Sequence, residues 1–297
     1  MYSPRFLPHE AAMAEQLIHQ ALQEDVIDFS SRGAHGDHTS MACIPADTRS
    51  AMQLIAKEEG ILSGVPVAGW VCHQVDPHIE LSVRKTDGDQ VTFGDVVFVA
   101  EGSVRSLLRA ERVLLNYLQR MSGIATLTNR FVNKVSHTTV RLLDTRKTTP
   151  NNRVFEKYAV RCGGGENHRF GLFDRIMIKD NHIDACGGIE EALNKVAAYK
   201  QQLQLPVPVE IETRNVQEIQ AVLQHGGADR IMLDNFTPAE AKKGVILIGG
   251  KMETEISGGV NLDTVAAYAE TGVDFISVGA FTHSAKALDF SFKVIKG

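Results

Sequence analysis

Residues 207–236 read VPVEIETRNVQEIQAVLQHGGADRIMLDNF. Two short aliphatic runs, VPVEIET and RIMLDNF, flank NVQEIQAVLQHG, a stretch with apolar residues at helical spacing and no proline. The segment predicts a strand, a crossover helix and a second strand parallel to the first. The rhythm extends both ways from about Thr139. Upstream lie VRLLDTRK (140–147) and RIMIKDNH (175–182), and downstream TEISGG (254–259) and FISVGA (275–280). The helical stretches IEEALNKVAAYKQQL, TPAEAKKG and LDTVAAYAETG fall between runs. Repetition at this spacing is the signature of a parallel sheet, and six units favour an α/β barrel over an open sheet.

The first third of the chain is patterned differently. Pro8 to Gln23 carry Ala, Leu and Ile at helical spacing, and DFSSRGAHGDHTS (28–40) reads as a loop, a surface insertion or lid. From Ser50 to Gly102 short β-like runs (AMQLIA, IELSVRK, DVVFVAEG) alternate with glycine turns, which predicts a small, largely antiparallel sheet. Residues 105–135, with Leu108, Val113, Leu115 and Leu118 among arginines, predict a pair of helices linking two domains. The expected division is an N-terminal domain over 1–118 and a barrel domain over 119–283, with 284–297 packing back on the first.

Composition narrows the function classes. With 43% hydrophobic and 23% charged residues in 297, the chain is an ordinary globular protein with a large core. A net charge of -5 without a basic stripe argues against a nucleic-acid surface, and no window approaches a membrane-spanning apolar run. Cys43, Cys72, Cys162 and Cys186 show no paired spacing, so neither a disulfide framework nor a zinc knuckle is expected, and a cytoplasmic location fits.

In parallel α/β proteins ligands are held at the carboxyl ends of the strands. The six runs deliver there Arg146 and Lys147, Lys179, Glu212, Asp234, Ser257-Gly258-Gly259, and Gly279-Ala280. One polar strand end is ordinary; six bearing charge or glycine point to a site. Arg146, Lys147, Arg169 and Lys179 at one mouth would repel one another unless an anion neutralised them, and arginine matches carboxylate or phosphate oxygens in a two-point fork. Glu212 and Asp234 suit Mg2+ around a diphosphate, or a developing positive charge. The SGG and VGA turns present N–H groups, with helices beginning just after them, as a phosphate cradle. RVFEKYAVRCGGGENHRFGLFDR (153–175) reads as a long functional loop bearing His168 and Arg169. Cys162 beside its glycines lacks a local base and is disfavoured as a nucleophile, while Met121, Met177 and Met232 read as core filler.

The stretch LLDTRKTTPNNRVFEKYAVRCGGGENHRFGLFDRIMIKDNHI (142–183) closely resembles nicotinate-nucleotide pyrophosphorylase (carboxylating), the quinolinate phosphoribosyltransferase family. So do AERVLLNYLQRMSGIAT, VEIET, IMLDNF, ISGGV and DFISVGAFTHSAKALDFS, and in the first domain KEEGILSGV and DGDQVTFGDVVFVAEG. The resemblance covers nearly the whole chain. It implies an N-terminal open α/β sandwich joined to a partly open parallel α/β barrel. It also implies a decarboxylating pentosyltransferase that moves phosphoribose from phosphoribosyl pyrophosphate to quinolinate, giving nicotinate mononucleotide, CO2 and diphosphate for NAD synthesis. Mg2+ is the implied metal, at Glu212 and Asp234, and a homodimer is implied in which Arg112 completes the neighbour's site. The resemblance places Arg112, Arg146, His168, Arg169 and Lys179 against the carboxylates of quinolinate. Lys147, Glu212 and Asp234 match positions around the donor and are the catalytic candidates; Ser257, Gly258, Gly259, Val278, Gly279, Ala280 and His283 match those near the 5-phosphate, and Thr145 joins the substrate-binding set. A related phosphoribosyltransferase of the molybdenum-transport-associated type, with another acceptor, is the alternative. The chain departs from the family where Glu24-Asp25 and Gly36-Asp37 are separated by the longer VIDFSSRGAH (26–35), and the Gly226-Gly227 doublet reads as a one-residue loop extension.

Overall fold

The computed structural model describes residues 6–28, 30 and 35–295; the remainder of the 26–35 insertion lies outside the described residues. In chain order the elements are α1 (Pro8–Val26), α2 (His38–Cys43), β1 (Arg49–Ala56), β2 (Gly60–Ile61), α3 (Val65–Val75), β3 (Glu80–Val83), β4 (Gln90–Val91), β5 (Val96–Ser103) and α4 (Val104–Lys134). There follow β6 (Arg141–Leu143), α5 (Arg153–Cys162), β7 (Ile176–Ile178), α6 (Asp180–Cys186), α7 (Ile189–Leu203), β8 (Val209–Thr213) and α8 (Val216–His225). The chain continues through β9 (Arg230–Asp234), α9 (Pro238–Ile248), β10 (Glu253–Ser257), α10 (Val265–Ala269), β11 (Phe275–Ser277), α11 (Ala280–His283) and β12 (Phe290–Val294). Among the described residues no helix is long and apolar enough to cross a membrane.

Two compact units result. The first comprises 1–129, 148–164 and 281–297, and the second 130–147 and 165–280. The sequence assigned 148–164 to the barrel, but contacts gather them with the first unit. There an antiparallel sheet runs in the order β12-β1-β5-β3, beside the two-stranded β2-β4 pair. The C-terminal segment does return to this sheet, with Leu54 opposite Phe292 in the β1–β12 register. Helix α1 buries Ala14, Ile18 and Leu22, and its buried Glu10 closes the helix start through the Leu7 N–H and pairs with Arg161 at 2.8 Å.

Residues 104–134 form one continuous helix, not the expected pair. Gly123, inside it, serves close approach: a Cβ there would lie 2.1 Å from the carbonyl oxygen of Lys286. Three other helices run where the sequence suggested strands or loop. Helix α3 begins at Gly64, whose φ of 111° favours glycine, and Asp87 accepts from the Gly64 and Val65 N–H groups. Helix α2 takes in His38–Ser40 because the Asp37 side chain accepts from the Ser40 N–H. Helix α5 replaces the front of the long loop; it is buried almost throughout, so the 3.6-residue apolar pattern is obscured.

The second unit holds six parallel strands in the order β6-β11-β10-β9-β8-β7. The pairing of β6 with β11, the last strand of the series, curls the sheet into a barrel. It stays partly open between β6 and β7, where the chain at Glu166 lies parallel to Leu143 and takes up the free edge of β6 through Glu166 N–H to Leu142 O at 2.8 Å. Helices α7, α8 and α9 occupy the expected crossovers, and Gly226 ends α8 at φ 77°.

Candidate active site at the strand ends of the barrel

Parallel pairing brings all six carboxyl ends to one rim. Arg146 and Lys147 follow β6 and are exposed, with the Lys147 N–H bonded to Thr145 Oγ1 at 3.1 Å. Lys179 follows β7, and its Nζ lies 2.7 Å from Glu212 Oε1. Asp234 ends β9 opposite Ser257 of β10. The opposite charges assigned to one mouth therefore meet there. Burial first, and then the charge of Glu212, raise the Asp234 carboxyl above its ordinary value. Arg169 is held below its ordinary value by burial and then by Arg146, which places these two cations within each other's field.

The glycine turn after β10 is shaped by its neighbour. Gly258 has φ 92°, and a Cβ there would meet Asn235 Oδ1 at 2.1 Å. Gly259 is also left-handed, at φ 64°. The expected helix does not begin directly behind this turn: α10 starts at Val265 and has five residues, so backbone N–H groups, not a helix terminus, are what it offers. Val278 is buried and donates to Leu143 O at 2.8 Å, which ties the Gly279-Ala280 turn to β6. Arg112, exposed on α4, and His283, exposed at the end of α11, belong to the first unit.

His168 precedes Arg169 in the chain. Its ring is buried inside the barrel, with Nε2 3.2 Å from Glu210 Oε2 and 3.4 Å from Glu255 Oε2. An acceptor carboxylate would therefore compete with two internal ones for it. Burial resists charge on the ring, but the carboxylates of Glu210 and Glu255 carry its pKa up to about 9. The Arg169 N–H, 2.7 Å from Nδ1, favours the form that leaves Nδ1 bare. Peptide and carboxylates thus pull the second proton in opposite directions; the first sits on Nε2 in either form. Arg230 completes the cluster at 2.7 Å from Glu255 and 2.8 Å from Glu253, stacked 3.7 Å above Phe275.

Sequence reasoning stopped at the strand ends and missed Glu210, Glu255 and Arg230. The signal was available: Glu210 shares a strand face with Glu212, and Glu255 with Ser257, so glutamates inside otherwise aliphatic strands mark a polar barrel interior. Cys162 is buried and its thiol is pushed up to about 12 by desolvation, which removes it as a nucleophile. A cleft of about 530 Å³ lined by Leu17, Glu24, Tyr117, Arg120, Thr149 and Glu156 lies in the first unit and contains none of the predicted site residues.

Comparison with known proteins gives the family. Residues 37–122 match the quinolinate phosphoribosyl transferase N-terminal domain, and residues 124–293 the C-terminal domain. A quinolinate phosphoribosyltransferase [decarboxylating] of Nicotiana tabacum is 44% identical over 292 residues, covering 94% of this chain and 81% of its own. A probable nicotinate-nucleotide pyrophosphorylase [carboxylating] of Bacillus subtilis is 42% identical, covering 87% of this chain and 88% of its own. The solved structure of the nicotinate-nucleotide pyrophosphorylase from Francisella tularensis superposes with a TM-score of 0.87 at 40% identity and covers 96% of each chain. With both units matched in order, the chain belongs to the quinolinate phosphoribosyltransferase family.

Proposed function

We propose that the rim of the barrel carries out the family's reaction: phosphoribose passes from phosphoribosyl pyrophosphate to the ring nitrogen of quinolinate, and CO2 and diphosphate leave as nicotinate mononucleotide forms for NAD synthesis. The observation that supports this best is the sorting of charge around one mouth, with Arg146 and Arg169 within each other's field on one side and Glu212 and Asp234 on the neighbouring strands β8 and β9. The arginines, with Lys179, hold the two carboxylates of quinolinate by charge-assisted hydrogen bonds. His168, beside Arg169, joins them on the acceptor side. Lys147 binds the donor; Ser257, Gly258, Gly259, Val278, Gly279 and Ala280 surround its 5-phosphate, with Thr145 beside them.

Departure of diphosphate leaves positive charge on the ribose, and Glu212 and Asp234 stabilise it by negative charge already in place. Asp234, whose carboxyl is raised by burial and by Glu212, fits Mg2+ together with Glu212; bound there, the ion would neutralise charge on the leaving diphosphate. Lys179 must yield part of its hold on Glu212 as substrates enter, because its ammonium is committed to that carboxylate at 2.7 Å. The acceptor of a molybdenum-transport-associated paralogue is not favoured, since the Nicotiana relative carries the quinolinate name and the Bacillus relative that of a carboxylating nicotinate-nucleotide pyrophosphorylase.

The exposed Arg112 acts from a second copy of the chain, in a homodimer. The four cysteines are free, which suits a reducing cytoplasm, although plant relatives are chloroplastic or mitochondrial. The test is incubation with quinolinate, phosphoribosyl pyrophosphate and Mg2+, with nicotinate mononucleotide and CO2 as products. Asp234→Ala and Lys147→Ala should each lower kcat by roughly a hundredfold or more; retained turnover in a folded variant would refute the assignment. Mixing Arg112→Ala with Lys147→Ala subunits should restore activity if Arg112 works across the dimer.

A further inference from the structure

We propose that Glu210 and Glu255 are positioning residues for the acceptor's carboxylates: from inside the barrel they hold the His168 ring, and through it the peptide from which Arg169 enters the mouth. The proposal rests on the reading of Arg169 given above. Glu210 and Glu255 have no exposed surface, and buried carboxylates persist only where matched charges and donors surround them. Arg230 hydrogen-bonds Glu255 at 2.7 Å, whereas Glu210, whose oxygens have no hydrogen-bond partner, is matched by charge alone, with His168 Nε2 at 3.2 Å and Arg175 at 3.6 Å. A ring flanked by two carboxylates cannot turn without losing both.

The same residue is held from its other sides. The His168 N–H donates to Asp144 Oδ1 at 2.8 Å, the Asn167 side-chain amide donates to Asp144 Oδ2 at 2.7 Å, and the Arg169 N–H donates to His168 Nδ1 at 2.7 Å. Asp144 directly follows β6, Glu210 lies on β8 and Glu255 on β10. The 167–169 segment is thereby fastened to three strands of the barrel, and a short positional error there would propagate directly to the Arg169 guanidinium. The three donor atoms of His168, Glu210 and Glu255 lie within 4.8 Å of one another and could in principle surround a cation. A metal there would need Nε2 stripped of its proton, the point on which the two readings of this cluster part.

The test compares KM for quinolinate with KM for phosphoribosyl pyrophosphate in Glu210→Leu, Glu210→Gln and Arg169→Ala. Loss of one charge-assisted contact predicts that Glu210→Leu raises KM for quinolinate roughly tenfold while KM for the donor stays within about twofold, and that Glu210→Gln, which keeps an acceptor, recovers most of the loss. Equal rises for both substrates, or none, would overturn the proposal. Nitrogen-15 NMR of the unaltered enzyme supplies a readout independent of variant folding. A proton on His168 Nε2 supports the assignment, whereas a bare Nε2, or an equimolar metal released by Glu210→Gln, would sink it. If Arg169→Ala raises the quinolinate KM and Glu210→Leu does not, the positioning role alone falls. If Arg169→Ala leaves that KM unchanged, the pocket reading fails and the positioning role with it.

Discussion

Arg230→Met separates a buried ion pair from the space it fills. The guanidinium reaches Glu255 at 2.7 Å and Glu253 at 2.8 Å and lies on the Phe275 ring. Burial would raise the Glu255 carboxyl, but hydrogen bonding and charge from His168, together with the charge of Arg230, hold it down to about 2 from an ordinary 4.5. Methionine keeps much of the stem's volume and leaves Glu255 buried beside a half-matched charge, a change that costs about 3–5 kcal/mol in comparable buried pairs. We expect Arg230→Met to lose about 3 kcal/mol at neutral pH, and Arg230→Met with Glu255→Met to recover most of it, because both charges then leave together. Since the folded carboxyl is depressed, its contribution is present above pH 4.5 and is lost as pH falls towards 2. In Arg230→Met the Glu255 pKa rises, so the gap between the two proteins should narrow over that window. Urea denaturation followed by circular dichroism at several pH values measures both quantities. A loss under about 0.5 kcal/mol at neutral pH, the range of a surface substitution, or a gap that widens on acidification, would refute the account of the barrel interior.

Other substitutions probe the backbone and the thiols. Gly123→Ala sets a methyl 2.1 Å from the Lys286 carbonyl oxygen, so helix α4 and the C-terminal segment must part; hydrogen exchange at 290–294 should accelerate, and unchanged protection would contradict the packing. Gly258→Ala combines φ 92° with contact against Asn235, which should cost about 1–2 kcal/mol from the backbone alone and raise KM for the donor, as read by thermal denaturation and kinetics. Thiol labelling of the native protein at mild alkaline pH should modify the exposed Cys43 and spare Cys72 and Cys162, whose thiols burial pushes up to about 12. Mass spectrometry of the labelled peptides checks this, and early labelling of Cys162 would contradict its burial.

The sequence by itself determined the order of the βα units, the antiparallel sheet, the return of the C-terminus to it and the charged strand ends, because those features are local. A strand of period two and a helix of period 3.6 write their patterns into neighbouring residues, and a strand end is marked by where its pattern stops. The same locality explains the errors. Helix α5 is buried on nearly all sides and so loses its apolar stripe, and the glycine in α4 answers to Lys286, a residue 163 positions away that no local pattern can reveal. Only the tertiary structure decided that the barrel is left open between β6 and β7, that Lys179 closes on Glu212, and that His168 turns inward to Glu210 and Glu255. Each depends on which strands become neighbours once the sheet curls, and a buried charge can be assigned a role only when the opposite charge beside it is known.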